Sequence, residues 1–155
     1  MRTNRLFLAL GVGLSLLLVA CGGQTGNTGG GVSGPGSTWT LRNSGTTQHL
    51  FGVTYGGNKF VAVGGSGTEG IVVTWDGESP NWSTPTQVAN KPLYGVTYGN
   101  GTFVAVGEDG TILTSPDGVN WTPRESGTTQ PLYGVTYGNG TFVAVGKNGT
   151  ILTSP

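Results

Sequence analysis

The chain has 155 residues, among them 31 glycines and 8 prolines, and only seven basic and seven acidic side chains that balance to zero formal charge. So little charge excludes a coiled coil, a long-helix protein and an acidic or basic tail, and the absence of a positive excess argues against nucleic acid as a partner. The length allows one ordinary domain, and Gly plus Pro at about a quarter of the chain stands either for low-complexity disorder or for turn punctuation.

The N-terminal segment, residues 1–20, has the three parts of a secretory signal. Arg2 and Arg5 form a positive start, Leu6 to Leu18 is a nearly unbroken apolar run, and Val19-Ala20 is a small-residue exit. The run falls short of the ~20 residues of a comfortable membrane span. Leu18-Val19-Ala20-Cys21 resembles the bacterial lipobox, which implies cleavage before Cys21 and a lipid on that cysteine, the only one in the chain. A lone cysteine in an exported chain has no internal disulfide partner, so lipidation accounts for it better than folding does. The expected location is therefore the bacterial cell envelope, anchored to a membrane through the lipid without spanning it. Gly22 after the cysteine points to the outer membrane if the cell has two. Residues 21–37 are the lipidated cysteine and a tether: Gly22 to Ser37 holds eight glycines with polar residues between them, too little apolar surface to offset its chain entropy. Without Arg2 and Arg5 the exported chain carries five basic against seven acidic residues, so it has no polybasic surface for anionic lipid.

From residue 38 to 155 one unit is written three times. Leu50-Phe51-Gly52-Val53-Thr54-Tyr55-Gly56 returns from Leu93 to Gly99 and again from Leu132 to Gly138. Phe-Val-Ala-Val-Gly follows at Phe60, Phe103 and Phe142, and then come the apolar runs beginning at Ile71, Ile112 and Ile151. Trp39, Trp82 and Trp121 each stand 11 residues before the leucine of the next unit. The units cover approximately 39–81, 82–120 and 121–155. The period is 43 and then 39 residues, with the extra residues in the first unit around Gly65 to Glu69 and Glu78 to Pro80. Each unit predicts four short strands, rich in β-branched and aromatic residues. Asn100-Gly101, Asn139-Gly140, Asp109-Gly110 and Asn148-Gly149 are two-residue hairpin signals. Phe-Val-Ala-Val is apolar at consecutive positions, so its strand is expected to be covered on both faces. The glycines Gly95 and Gly134 suit a crowded first strand. Of the 31 glycines, two lie in the signal, eight in the tether and 21 in the repeats, and periodicity marks the last group as turn and packing glycine.

Four strands in ~40 residues with both sheet faces buried is the sequence form of a β-propeller blade. The expected fold is all-β, with about three four-stranded repeats that make an incomplete propeller; a β-trefoil is the alternative closed fold. Ser115-Pro116-Asp117-Gly118-Val119-Asn120-Trp121 resembles a shortened Asp-box, and Thr74-Trp75-Asp76-Gly77 is a looser version. The repeats are similar to those of Asp-box (BNR-type) propellers, including sialidase-like and photosystem II assembly factor-like proteins. That resemblance implies that Ser115, Asp117, Gly118 and Trp121 form a structural turn between the third and fourth strands of a blade. The third unit lacks an outer strand, whereas Trp39 to Asn43 reads as an outer strand with no blade before it. Either Trp39–Asn43 closes a three-unit ring, or blades are missing and are supplied by a longer chain or a homo-oligomer. Three blades fall below the usual ~4 to 8, which favours the second.

Little chemistry is visible. A sialidase needs an arginine cluster, and only Arg42 and Arg124 remain after export, at equivalent outer-strand places. Glycoside hydrolysis needs two facing carboxylates, but Glu69, Asp76, Glu78, Glu108, Asp109, Asp117 and Glu125 fall nearly all in turns, where side chains cap backbone. His49 is the only histidine, so a transition-metal site has too few ligands, and no cofactor is expected. The tyrosines Tyr55, Tyr94, Tyr98, Tyr133 and Tyr137 read as a packing ladder sooner than as a groove. Trp75 and Glu78, which have no counterpart in the other units, are the candidate ligand-binding residues. The expected function is a non-catalytic, lipid-anchored binding or scaffold module with a protein or glycan partner. The alternatives are a truncated Asp-box glycoside hydrolase and a structural envelope protein that assembles through blade contacts.

Overall fold

A computed structural model describes residues 34–155. The signal, Cys21 and the first part of the tether lie outside the described residues. Eleven strands follow in order: β1 Leu50–Gly56, β2 Lys59–Ser66, β3 Glu69–Trp75, β4 Thr86–Ala89, β5 Leu93–Gly99, β6 Thr102–Gly107, β7 Ile112–Ser115, β8 Thr122–Arg124, β9 Leu132–Gly138, β10 Thr141–Gly146 and β11 Ile151–Ser154. They form three separate antiparallel meanders, β1-β2-β3-β4, β5-β6-β7-β8 and β9-β10-β11. Three separate sheets are propeller blades and not the shared barrel of a trefoil. Asn100 and Gly101 adopt φ of 47° and 75°, Asn139 and Gly140 of 49° and 75°, the left-handed pair that a type I′ hairpin turn requires. Asp109-Gly110 and Asn148-Gly149 do the same inside one-turn 3₁₀ segments.

The sheets stack face to face, β1 packing on β5 and β5 on β9, with no comparable packing between β1 and β9. The inner strands therefore trace an arc. Two apolar layers fill the gaps. Val61, Val63 and Val72 of the first sheet meet Leu93, Val96, Phe103, Ala105 and Leu113 of the second. Val104 and Val106 of the second meet Leu132 and Ala144 of the third. Each fully buried Leu or Phe in these layers contributes about 2 kcal/mol.

Glycine sets how closely the sheets approach. A Cβ on Gly56 would lie 2.0 Å from Tyr98 Cγ, and one on Gly99 would lie 2.1 Å from Tyr137 Cγ. Each tyrosine thus occupies a notch at the end of the preceding inner strand. Gly95 is crowded in the same way, its Cβ position 3.1 Å from the Tyr133 carbonyl oxygen, but Gly134 meets only its own sheet's Val145.

Two expectations change. Trp39–Asn43 forms no strand, and Trp39 and Leu41 are 87% and 97% exposed; a strand needs a ladder partner, and none is paired with it. The central strand is covered on both faces in β2 and β6 but only partly in β10, because among the described residues no sheet packs on the far side of the third. In the first sheet Ser83 pairs with Thr74 directly after Trp82, but Pro85, which has no amide hydrogen, interrupts the outer strand, and β4 resumes at Thr86.

Candidate functional site

Each inner strand carries one residue too many for its neighbour. Leu50 pairs with Gly64 and Gly52 with Val63, so Phe51 is left over. Tyr94 is left over between the pairs Leu93–Gly107 and Gly95–Val106, and Tyr133 between Leu132–Gly146 and Gly134–Val145. These are β-bulges, which take a side chain out of the pleat and re-aim it. The glycine after each bulge lets neighbouring strands come close: a Cβ on Gly52 would lie 3.1 Å from Gly95 Cα. The three bulged rings consequently line up across the arc. Phe51 and Tyr94 have centroids 5.4 Å apart, Tyr94 and Tyr133 5.6 Å, and His49 extends the row at 5.8 Å from Phe51. Both separations within the row suit edge or tilted aromatic packing. Phe51 and Tyr133 remain 51% and 53% exposed.

Repeated rings stand beside a changing charge. The residue after the glycine that pairs with each inner-strand leucine is Gly65 in the first sheet, Glu108 in the second and Lys147 in the third. The backbone holds that position in place: Glu108 N–H donates to the Pro92 carbonyl at 3.0 Å and Lys147 N–H to the Pro131 carbonyl at 2.9 Å. Tyr94 Oη–H donates to Glu108 Oε2 at 2.5 Å. That bond to a carboxylate, with partial burial second, pushes the Tyr94 phenol up to about 12. The row offers flat apolar faces for stacking, with hydroxyls and a carboxylate at its side.

The residues singled out from sequence lie elsewhere. Ser115, Asp117, Gly118 and Trp121 come together in the turn from β7 to β8. Ser115 Oγ, buried to 1% exposure, donates to Asp117 Oδ1 at 3.0 Å and accepts from Gly118 N–H at 2.8 Å. Asp117 Oδ1 accepts the amides of Val119 and Asn120 at 2.8 Å each, and Oδ2 accepts from Asn120 Nδ2 at 2.7 Å. Trp121 Nε1–H donates to the Gly118 carbonyl at 3.1 Å. The donors on Asp117, the Asn120 amide first, hold its carboxyl well below the usual range. Trp75 and Glu78 sit in the corresponding turn of the first sheet. There Asp76 accepts from Ser79 and Glu78, and those bonds, Ser79 Oγ–H first, lower its carboxyl to about 2. Trp75 stacks between Phe60 and Trp82 at 5.5 and 5.9 Å, while Glu78 is exposed. Trp75 faces Phe60 across the ladder, where the second sheet has Ser115 facing Phe103, so the indole takes the place of the buried serine.

Other polar groups are spread out. Arg42 and Arg124 are exposed, and Arg124 Nε–H donates to Thr114 Oγ1 at 2.8 Å. Lys91 Nζ pairs with Asp109 Oδ2 at 2.9 Å beside an open cleft of about 1100 Å³ between the outer parts of the first two sheets. Among the described residues no group of His, Cys, Asp or Glu could hold a metal. The bulge row is the site that sequence reasoning missed. What defines it is ladder register, in which Leu and the glycine two residues later face positions one residue apart.

With three stacked four- and three-stranded sheets in place, comparison with known families decides the fold. A model of the DUF6242 beta propeller domain matches residues 35–154. The chain belongs to that family. No curated protein matches the chain. The family description names a beta propeller and no activity, so the function has to be argued from the residues.

Proposed function

We propose that this propeller is a lipid-anchored binding module of the bacterial envelope, which presents the Phe51–Tyr94–Tyr133 row to a glycan or protein partner and catalyses no reaction. The observation that carries the binding role is the alignment of three bulged rings beside Gly65, Glu108 and Lys147. Each bulge disrupts the ladder and re-aims one side chain, and the three of them turn one ring each into the same row. The changing residue beside each ring supplies selectivity. The reading of no catalysis is supported by the engagement of four of the seven carboxylates: Asp76 and Asp117 hold their own turns, Glu108 holds Tyr94 and Asp109 holds Lys91. The Asp-box character of the propeller rests on the Ser115-to-Trp121 turn, and the anchor and export rest on the Met1-to-Cys21 sequence.

The binding role is tested on the whole protein with immobilised envelope polysaccharide and with envelope protein extract. Tyr94→Ala with Tyr133→Ala should lower retention at least tenfold while circular dichroism stays unchanged; undiminished retention of the folded variant overturns the assignment. Cys21→Ser should move the protein from the membrane to the soluble fraction, and unchanged membrane retention overturns the anchor.

A further inference from the structure

The charges beside the aromatic row differ from sheet to sheet, yet one repeated piece of backbone places them. The amides of Gly65, Glu108 and Lys147 donate to the carbonyls of His49, Pro92 and Pro131 at 2.9, 3.0 and 2.9 Å. Glu108 and Lys147 each open a one-turn 3₁₀ segment, and the glycines before them are extended alike, with φ of −165° at Gly107 and −158° at Gly146. Their side chains therefore leave the backbone at equivalent places, Glu108 beside Tyr94 and Lys147 beside Tyr133. The first sheet admits no such side chain. Gly65 adopts φ of 129°, and a Cβ there would lie 1.9 Å from the Glu69 carbonyl oxygen. In row order, Phe51, Tyr94 and Tyr133 stand beside no side chain, a carboxylate and an ammonium.

Both charges are open to a ligand. Lys91 Nζ with Asp109 Oδ2 is the one ion pair among the described residues, so Glu108 and Lys147 do not neutralise each other. Glu108 uses Oε2 for the Tyr94 hydroxyl, and Lys147 is exposed. The inner strand β9, which carries Tyr133, packs against the Glu108–Gly110 turn, so the turn that bears the carboxylate bridges the sheets of Tyr94 and Tyr133. A cation over an aromatic face is attracted by the ring within about 6 Å of its centroid, and a carboxylate alongside adds a charge-assisted hydrogen bond. A lysine next to that place repels the cation and attracts an anion, and as a compact point charge it suits a phosphate. A purely anionic chain meets Glu108 and a purely cationic one meets Lys147. Opposite charges on neighbouring sheets thus select a ligand that carries both.

We propose that the row recognises a zwitterionic group on a glycan, an ammonium joined to a phosphate. The ammonium lies at Glu108 against the Tyr94 and Tyr133 rings, and the phosphate at Lys147 Nζ. The two ligand charges are then separated by about one ring spacing, which is 5.6 Å between Tyr94 and Tyr133, a distance that a short carbon bridge spans. Phe51, with the exposed His49 ring beyond it, is the uncharged stretch of the row and receives the sugar next to the substituent. The inference rests on the row being the binding surface.

The experiment uses the full chain in non-ionic detergent and isothermal titration calorimetry with phosphocholine, choline and inorganic phosphate. Phosphocholine should bind at least tenfold tighter than either of the others. Glu108→Gln should weaken phosphocholine and choline together, at least tenfold each, and Lys147→Met should remove the advantage of phosphocholine over choline. Circular dichroism should stay unchanged in both variants. Phosphocholine no tighter than choline in the unmodified protein, or an advantage that survives Lys147→Met, overturns the proposal. The carrier is read by retention on polysaccharide with and without phosphocholine substituents, and by flotation of the Cys21→Ser chain with phosphatidylcholine vesicles. Retention on the substituted polysaccharide is expected; equal retention on both polysaccharides, or flotation without retention, overturns the glycan assignment. A row that retains envelope material and ignores phosphocholine removes only the zwitterion, whereas undiminished retention by Tyr94→Ala/Tyr133→Ala removes the row itself.

Discussion

The second and third sheets share the segments Leu-Tyr-Gly-Val-Thr-Tyr-Gly, Phe-Val-Ala-Val-Gly and Ile-Leu-Thr-Ser without a single difference, yet their side chains live in different surroundings. Val106 is fully buried and Val145 is 46% exposed; Gly99 is buried against Tyr137 and Gly138 is open. The ladder pairings of the two sheets are the same. The local sequence therefore sets strand, turn and bulge, while burial is set by whether another sheet lies alongside. In a stacked repeat each interface belongs to two units, and stability is shared between neighbours.

That contrast can be broken by paired substitutions in dilute protein. The largest difference is expected for Phe103→Ala against Phe142→Ala. Phe103 is fully buried between sheets and contacts Tyr98 and Trp121, whereas Phe142 is half-buried; the first should lose about 4 kcal/mol in urea unfolding and the second about half of that. Gly99→Val should cost about 3 kcal/mol, because its Cβ overlaps Tyr137, and Gly138→Val less than ~0.5 kcal/mol. Val106→Ala should cost about 2 kcal/mol and Val145→Ala only a few tenths. Equal losses within every pair would contradict the view that burial is set by the neighbouring sheet.

The smallest effects are those of pH. Asp76 and Asp117 have lowered folded-state values, so unfolding takes up protons on these groups that the folded chain does not bind. Their contribution is present above the ordinary carboxylate range and is lost as pH falls through the folded values, which for Asp76 lies at about 2. Asp76 is exposed and Asp117 half-buried, so the change is modest. Asp117→Asn should make the acid limb of the unfolding midpoint shallower, and an unchanged limb would remove this carboxylate from the account. At the alkaline end the Tyr94 phenol is raised, so its bond to Glu108 supports the fold below about 10 and is lost as pH rises through about 12. Glu108→Gln should bring one tyrosine's ultraviolet titration back toward the ordinary value.

Much of this architecture was legible in the residues. The periodicity of Leu50, Leu93 and Leu132 and the Asn-Gly turns fix four-stranded units, because hairpin chemistry is local. The crowding at Gly95 was legible from its recurrence at the same place in each first strand, although the atom that crowds it most belongs to the next sheet. What sequence reasoning missed depends on relations between sheets. The tyrosines looked like one ladder, but Tyr98 and Tyr137 fill notches while Tyr94 and Tyr133 stand on bulges, a division made by register and not by residue type. Trp39–Asn43 has the sequence of an outer strand and no strand geometry, since a strand exists only with its partner. Trp75 and Glu78 are unique to one unit; the structure places Trp75 in an aromatic stack with Phe60 and Trp82 and leaves Glu78 on the surface.

Amide hydrogen exchange tests the central contrast most directly. Phe142–Gly146 should exchange at least tenfold faster than Phe103–Gly107, because the second strand of the middle sheet is covered on both faces and that of the third only in part. Equal protection of the two segments would contradict the account.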